Sequence, residues 1–259
     1  MTKTPTPLVI KVGGAFIDAP RGQDVFFQNI AKLQSIRPVV IVHGGGAGVQ
    51  NLLETLGLES NKINGLRVTP AEQMPYVAGA LAGTYNTKML SFAIAQNILA
   101  VGLTLADGGM TQCSIIDRQL GAVGDAQPHA AHLPKTLLQI GQLPIINSVG
   151  ASPNGQLVNV NADQAATAIA CLLHADLLLL SDVPGVLNGN KDKVESLTQA
   201  QANQLTDDGV LIDGMRVKVD AAFTAANTLN RPVVIGAWSD SEAFLRPNLN
   251  GVGTHIIPQ

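Results

Sequence analysis

The residues of this chain best suited to chemistry are lysines, glycines and one carboxylate, placed where apolar runs end. Lys11 stands just before Gly13-Gly14, which close the run LVIKV at 8–12. Glycines let a backbone come close to an anion and aim amide N–H groups at it, and a lysine beside them adds a point charge. Read alone, the segment also fits a strand-end lysine before an ordinary turn. A second run, His43-Gly44-Gly45-Gly46, follows the apolar residues 38–42 and leads into a helical stretch. That is the layout of a phosphate or oxyanion cradle at a helix start. It lacks the third glycine of a dinucleotide fingerprint and the lysine of a Walker loop, and a structural turn stays open as its reading.

Asn159, Asn161 and Asp163 fall where an extended run gives way to a small-residue helix. Capping accounts for one of the three, which leaves Asp163 as the carboxylate best placed to orient lysines. Ser181-Asp182-Val183-Pro184-Gly185-Val186, after the apolar residues 176–180, predicts a tight turn with backbone groups open to a ligand. Gly214-Met215-Arg216-Val217-Lys218 enters another helix. A cation near a helix N-terminus opposes the macrodipole, so Lys218 in that place points to an anion. Arg67, just after Asn64-Gly65, is able to take a carboxylate bidentately and equally to be a surface arginine.

The elements that must position these residues alternate. Strand-length apolar runs at 8–12, 38–42, 100–105, 143–148, 176–180 and 232–236 are separated by helical stretches, among them 22–36, 47–57 and a long one from Pro70 towards Asn97. Thr69 reads as the N-cap of that long helix with Pro70 at its first position. Residues 61–68 read as a small hairpin turning at Asn64-Gly65, and 108–128 as an additional antiparallel hairpin. Strands apolar on both faces belong to a parallel sheet covered by helices on either side. The expected fold class is α/β, a three-layer α/β/α sandwich with an open, mainly parallel central sheet. Ligands of such sheets gather at the carboxyl ends of strands, where these glycines fall.

At 259 residues the chain suits one large α/β domain or two modest lobes. Its apolar share of 46% is enough for a continuous core, while 14% charged residues and a net charge of -3, with no basic run, argue against nucleic acid as a partner. No stretch approaches the roughly 18 apolar residues that argue for a membrane span, and Met1 to Pro7 lacks the layout of a signal peptide. Cys113 and Cys171 lie far apart, and the five histidines do not cluster at ligand spacing. A cytoplasmic protein without a structural metal is expected.

Taken in order, IKVGG (10–14), VHGGG (42–46), NGLRVT (64–69), NVNADQAA (159–166), LLSDVPGV (179–186) and DGMRVKV (213–219) resemble the amino acid kinase family, from about Leu8 to Ile256. NGLRVT together with NVNADQAA resembles the branch acting on N-acetyl-L-glutamate more than the aspartate, uridylate or carbamate branches. The resemblance implies a single carbamate kinase-like domain over 1–259. Its N-terminal lobe, to about 175, would hold the amino acid substrate and the dimer contact, and its C-terminal lobe, about 176–259, the nucleotide. It implies Lys11 and Lys218 as catalytic lysines and Asp163 as the carboxylate that organises them. Gly44 and Gly45 would meet the reacting carboxylate, and Arg67 and Asn159 the α-carboxylate and N-acetyl region. ATP would be held at Gly13, Gly14, the turn Asp182, Val183, Pro184, Gly185, Val186 and Leu187, and at Val210, Leu211 and Ile212, with Mg²⁺ on its phosphates. Ala47, Gly48 and Pro184 depart from the family's pattern, which leaves fine substrate and nucleotide preferences open.

The implied activity is phosphorylation of the side-chain carboxylate of N-acetyl-L-glutamate by ATP, in arginine biosynthesis. A carboxylate is already ionised near neutral pH, so the absence of an obvious histidine or paired-carboxylate base agrees with it. Rival readings are a kinase for a related N-blocked amino acid such as aminoadipate, a non-catalytic effector-binding module of the same fold, and a nicotinamide-dependent oxidoreductase. The first strand starts by about Leu8, after Pro5 and Pro7, leaving no room for the N-terminal helix that the resemblance associates with arginine-inhibited hexamers. The expectation is a homodimer, joined through the N-terminal lobe with the helix from Pro70, and no inhibition by arginine.

Overall fold

The computed structural model describes residues 5–63 and 65–259. Strand β1 (Leu8–Val12) runs into the short helix α1 (Gly14–Asp18), and α2 (Gln23–Gln34) returns the chain to β2 (Val39–His43). Helix α3 (Gly46–Thr55) leads to the hairpin of β3 (Lys62–Ile63) and β4 (Leu66–Arg67). A continuous helical stretch follows, made of a 3₁₀ turn (Ala71–Gln73), α4 (Met74–Ala78), a π-helical segment (Gly79–Tyr85) and α5 (Asn86–Ala95). Next come β5 (Ala100–Thr104), β6 (Thr111–Ile115), β7 (Val123–Pro128), α6 (His132–Gln139), β8 (Leu143–Asn147), β9 (Val149–Ala151), β10 (Leu157–Val160) and α7 (Ala162–Leu173). The chain ends through β11 (Asp176–Ser181), β12 (Ser196–Leu197), α8 (Gln199–Asp207), α9 (Asp213–Leu229), β13 (Val233–Ala237) and β14 (Thr254–Ile256).

The main sheet has the order β12-β14-β13-β11-β1-β2-β8-β5, and every pairing in it is parallel except β13 with β14. Alternation along the central strands builds two cores. Leu8, Ile10 and Val12 of β1, with Val39 and Ile41 of β2, pack with Phe26, Phe27 and Ile30 of α2 and with Met89 of α5. Val9, Val40 and Val42 face the other way, onto α7 and α9. Both faces are covered, as the doubly apolar strands require, and the expected three-layer α/β/α sandwich is the fold.

Strand β1 lies between β11 on one side and β2 on the other, so the order reverses there. Crevices of open parallel sheets form beyond the carboxyl ends of strands at such a point. Lys11 shares its strand face with Val9, which turns it towards α7. The core-facing residues Ala165, Ala166, Ala168 and Ala170 are small enough to bring α7 close to the sheet.

One expectation is met and extended, and another changes. The 108–128 hairpin is present as β6 paired antiparallel with β7, but it belongs to a separate four-stranded sheet, β6-β7-β10-β9, that also takes in the strands before α7. Thr69 does not cap the long helix. Its backbone is held extended against Leu120 and Ala122, its hydroxyl donates to Arg67 O at 3.0 Å, and the position before the helix is Pro70. A residue stitched into neighbouring segments has no hydroxyl to spare for a cap. The hairpin over 61–68 pairs Lys62 with Arg67 and Ile63 with Leu66; Asn64 in its turn lies outside the described residues.

Candidate active site

At the carboxyl ends of β1 and β2 lies a cavity of about 250 Å³. Of the residues singled out in the sequence, Lys11, Gly13, Gly14, Gly44, Gly45 and Arg67 line it, together with Asn159 and Asp163. Lys11 Nζ stands 2.9 Å from Asp163 Oδ1 in an ion pair that is close without being aligned as a hydrogen bond. Asp163 is in the first turn of α7. Asn161 caps that helix, its side-chain oxygen accepting from the amide N–H groups of Asp163 at 2.8 Å and Gln164 at 3.4 Å. The cap accounts for Asn161 and leaves the Asp163 carboxylate free to meet the lysine.

The two glycine loops touch each other. A Cβ on Gly14 would lie 3.2 Å from the Gly45 carbonyl carbon and from the Gly46 nitrogen, and the Gly44 amide reaches Val12 O at 3.4 Å. Gly45 is the N-cap of α3 and offers no side chain to the helix's first amides. Those N–H groups are a ready site for a carboxylate or phosphate oxygen.

Arg67 reaches the same place from β4. Its guanidinium donates to Gly46 O at 2.8 Å, to Gln50 Oε1 at 2.5 Å and to Ser60 Oγ. Burial pulls its pKa below the ordinary arginine range, against the opposing charge of Glu54. Across the hairpin its register partner is Lys62, which also lines the cavity. Like charges directly opposite destabilise a strand pair, and an anionic ligand between them reverses that. Asn159 Nδ2 donates to Thr69 Oγ1 at 3.0 Å, joining the NGLRVT and NVNADQAA segments at the cavity wall.

Lys218 lies in the second turn of α9, on the face that Ala222 and Ala225 continue towards α7. Burial, and then the like charge of Lys11, pull its ammonium below the ordinary 10.5, against Asp163 and Asp182 acting in the opposite direction. Lys11, Lys218, Asp163 and Asp182 therefore share one electrostatic neighbourhood. The turn after β11 that contains Asp182 does not line the cavity. Thr254 of β14 fastens it, accepting from the Val186 amide at 2.8 Å and donating to Val194 O at 2.6 Å. Val186 and Leu211 are buried in the core, so any ligand contact there is through backbone, while Ile212 is exposed.

Lys62, Ser148 and Leu81 also line the cavity, and sequence reasoning missed them. Lys62 had a signal, a second cation within the hairpin that carries Arg67. Ser148 and Leu81 had none, since the β8–β9 junction and the π-helical segment bring them there.

Clustered cations and uncapped amides make a site suited to holding anions. The chain belongs to the amino acid kinase family: that family's model matches residues 6–237. It is 50% identical over 252 residues to the acetylglutamate kinase of Aeromonas salmonicida (strain A449), covering 96% of this chain and 97% of the relative. Among solved structures it is similar to smu.665 from Streptococcus mutans UA159, with a TM-score of 0.82, 30% identity and coverage of 98% and 99% of the two chains. It shares its fold with the carbamate kinase of Giardia lamblia bound to AMP-PNP, with a TM-score of 0.66, 19% identity and complete coverage of both chains.

Proposed function

We propose that this chain transfers the γ-phosphoryl group of ATP to the side-chain carboxylate of N-acetyl-L-glutamate, giving N-acetyl-L-glutamyl 5-phosphate and ADP, the second step of arginine biosynthesis. The observation that carries the reading is the meeting of Lys11, Asp163, Arg67, Asn159 and both glycine loops around one metabolite-sized cavity. The similarity to acetylglutamate kinases over nearly the whole chain supports it.

The physical task is to bring a carboxylate against a phosphate, so positioning and charge neutralisation do most of the work. The amides at Gly44 and Gly45 receive the reacting carboxylate, which needs no base. Arg67 holds the α-carboxylate, and Asn159 takes the N-acetyl region. Lys11, oriented by Asp163, faces the phosphoryl group in transit, and Lys218 draws charge towards the leaving ADP. The loop Gly13-Gly14, the turn at 182–187 and the segment 210–212 hold the nucleotide. Among the described residues no three His, Cys, Asp or Glu side chains converge. Mg²⁺ would arrive on the nucleotide, held by phosphate oxygens and water, and would neutralise their charge.

In this reading the N-terminal lobe, to about residue 175, serves the acceptor, and the remainder serves the nucleotide in a cytoplasmic enzyme. The lobe also joins two copies into a homodimer. Exposed Tyr76 on α4, Ile94 on α5 and Leu99 leading into the edge strand β5 support that surface. Among the described residues no helix is long and apolar enough to cross a membrane.

The test is ADP release with a panel of acceptors. N-acetyl-L-glutamate is expected to be the best. Glutamate is expected to be poor, because its ammonium stands where the site takes a neutral amide. N-acetyl-aminoadipate should fall between them, since one methylene discriminates by only about 1–3 kcal/mol. Equal turnover of glutamate and its acetylated form would refute the assignment.

A further inference from the structure

Behind the glycine loops lies an aromatic side chain that the proposed reaction does not use. Tyr85 is the last residue of the π-helical segment Gly79–Tyr85, and it is 8% exposed. A Cβ on Gly48 would lie 1.1 Å from Tyr85 Oη and 2.1 Å from its Cζ, so the phenol occupies the space of a side chain at 48. A Cβ on Gly45 would lie 2.8 Å from Leu81 Cδ2 and 3.2 Å from Tyr85 Cδ2. The ring thus covers the first turn of α3 from behind, and Leu81 reaches the cavity beside it.

The phenol is also tied down. Its hydroxyl donates to Asp18 Oδ2 at 3.1 Å, and the other Asp18 oxygen takes Lys88 Nζ at 3.4 Å. Asp18 ends α1, the helix that begins in the Gly13-Gly14 loop. Burial first, and then the charge and hydrogen bond of Asp18, push the Tyr85 phenol up to about 12, so it keeps the proton it donates. One side chain therefore touches the helix after each glycine loop, and the loops touch each other through Gly14 and Gly45. The π-helical turns, which widen the helix by one residue per turn, carry both Leu81 and Tyr85 to this spot; such turns occur often at functional sites.

We propose that Tyr85 is a positioning residue: seated in the space left by Gly48 and bonded to Asp18, it sets the separation of the Gly44–Gly46 and Gly13–Gly14 loops, and hence of acceptor carboxylate and phosphoryl group. The proposal rests on the reaction given above. Tyr85 does not line the cavity. Its effect falls on alignment, where a displacement of about 1 Å costs up to about 10²-fold in rate.

The experiment measures kcat, KM and thermal midpoint of the full chain with N-acetyl-L-glutamate and Mg-ATP. Tyr85→Phe keeps the ring and loses the tether, and kcat is expected to fall roughly fivefold with both KM values within about twofold. Tyr85→Ala is expected to lower kcat roughly 10²-fold. Gly48→Val alone, with no room for its side chain, should do at least as much damage. The double variant Gly48→Val/Tyr85→Ala refills the space from the opposite side and should recover roughly tenfold over the better single variant, a coupling expected of residues that share one space and not of distant, independent sites. A lowered midpoint with unchanged kcat in Tyr85→Phe and Tyr85→Ala would make the residue merely structural and overturn the proposal. So would a double variant no better than its parents. No turnover by the unaltered chain is a different outcome, because it defeats the functional reading itself.

Discussion

Lys11 Nζ and Asp163 Oδ1 stand 2.9 Å apart, one at the end of the central strand and the other in the first turn of the helix laid across it, with both side chains largely buried. The pair holds the lysine in one direction, towards the cavity where the glycine loops meet. Lys218 feels both members of the pair. Asp182 acts on Lys218 as well, but Arg67 and Lys62 at the cavity leave cations in excess of carboxylates, an arrangement suited to anionic ligands.

Removing either cation should act on the transition state. Lys11→Ala and Lys218→Ala are each expected to lower kcat by roughly 10²–10³-fold, the scale for losing one preorganised donor, with folding preserved. Arg67→Ala should differ in kind. In the proposed reaction its carboxylate partner persists from ground state to transition state, so KM for the acceptor should rise roughly 10–100-fold with kcat little changed. Steady-state kinetics on the three variants make the comparison. A Lys218→Ala enzyme with near-normal kcat would show that the phosphate site has been misplaced.

The alkaline limb of activity should report Lys218. Its ammonium is pulled below 10.5 in the free enzyme, and in the proposed reaction the charged form is the one that works. As pH rises through that lowered pKa, kcat/KM should fall, earlier than an ordinary lysine would allow. In kcat the limb should lie higher, since bound phosphates favour the ammonium. Asp182→Asn removes a charge that holds the pKa up, so the kcat/KM limb should move to lower pH. A limb unmoved by that change would exclude Lys218 as its source.

His43 makes a prediction about stability rather than rate. The ring is fully buried at the end of β2, with Nδ1 3.2 Å from Gly44 O and Nε2 without a partner among the described residues. The Gly44 carbonyl accepts, so Nδ1 carries the proton and Nε2 is bare. Burial lowers the pKa from 6.5 to about 4, against the smaller effect of the Gly44 bond. The unfolded chain therefore binds the extra proton first. The contribution of the neutral ring is complete above 6.5 and drains away as pH falls towards 4, roughly 3 kcal/mol in all. Denaturant titrations at about pH 7.5 and about pH 5 should show roughly 2 kcal/mol of this loss, the rest falling below about pH 5, and His43→Leu should lose less over the same interval. Parallel losses in the two proteins would assign the acid sensitivity elsewhere.

By itself the sequence determined the class of chemistry and the layers. Glycine runs at the ends of apolar strands, a lysine beside one of them and a polar cluster at a helix start are local features. Their meaning follows from what those residue types do with anions. The two-faced strands are equally local, because alternation already places Val9 and Ile10 in different cores. The tertiary structure alone decided the pairings. Thr69 reads as a cap from its neighbours, yet its hydroxyl answers to Asn159 and its backbone to Leu120 and Ala122, which approach only when the second sheet forms. That sheet is built of short strands whose partners are distant in sequence, and no periodicity within one of them names the other. Gly48 reads only as a departure from the family's pattern at the start of the helix over 47–57, whereas in the fold the Tyr85 phenol lies where its side chain would be. Close packing is a property of pairs of surfaces, and a sequence states only one surface at a time.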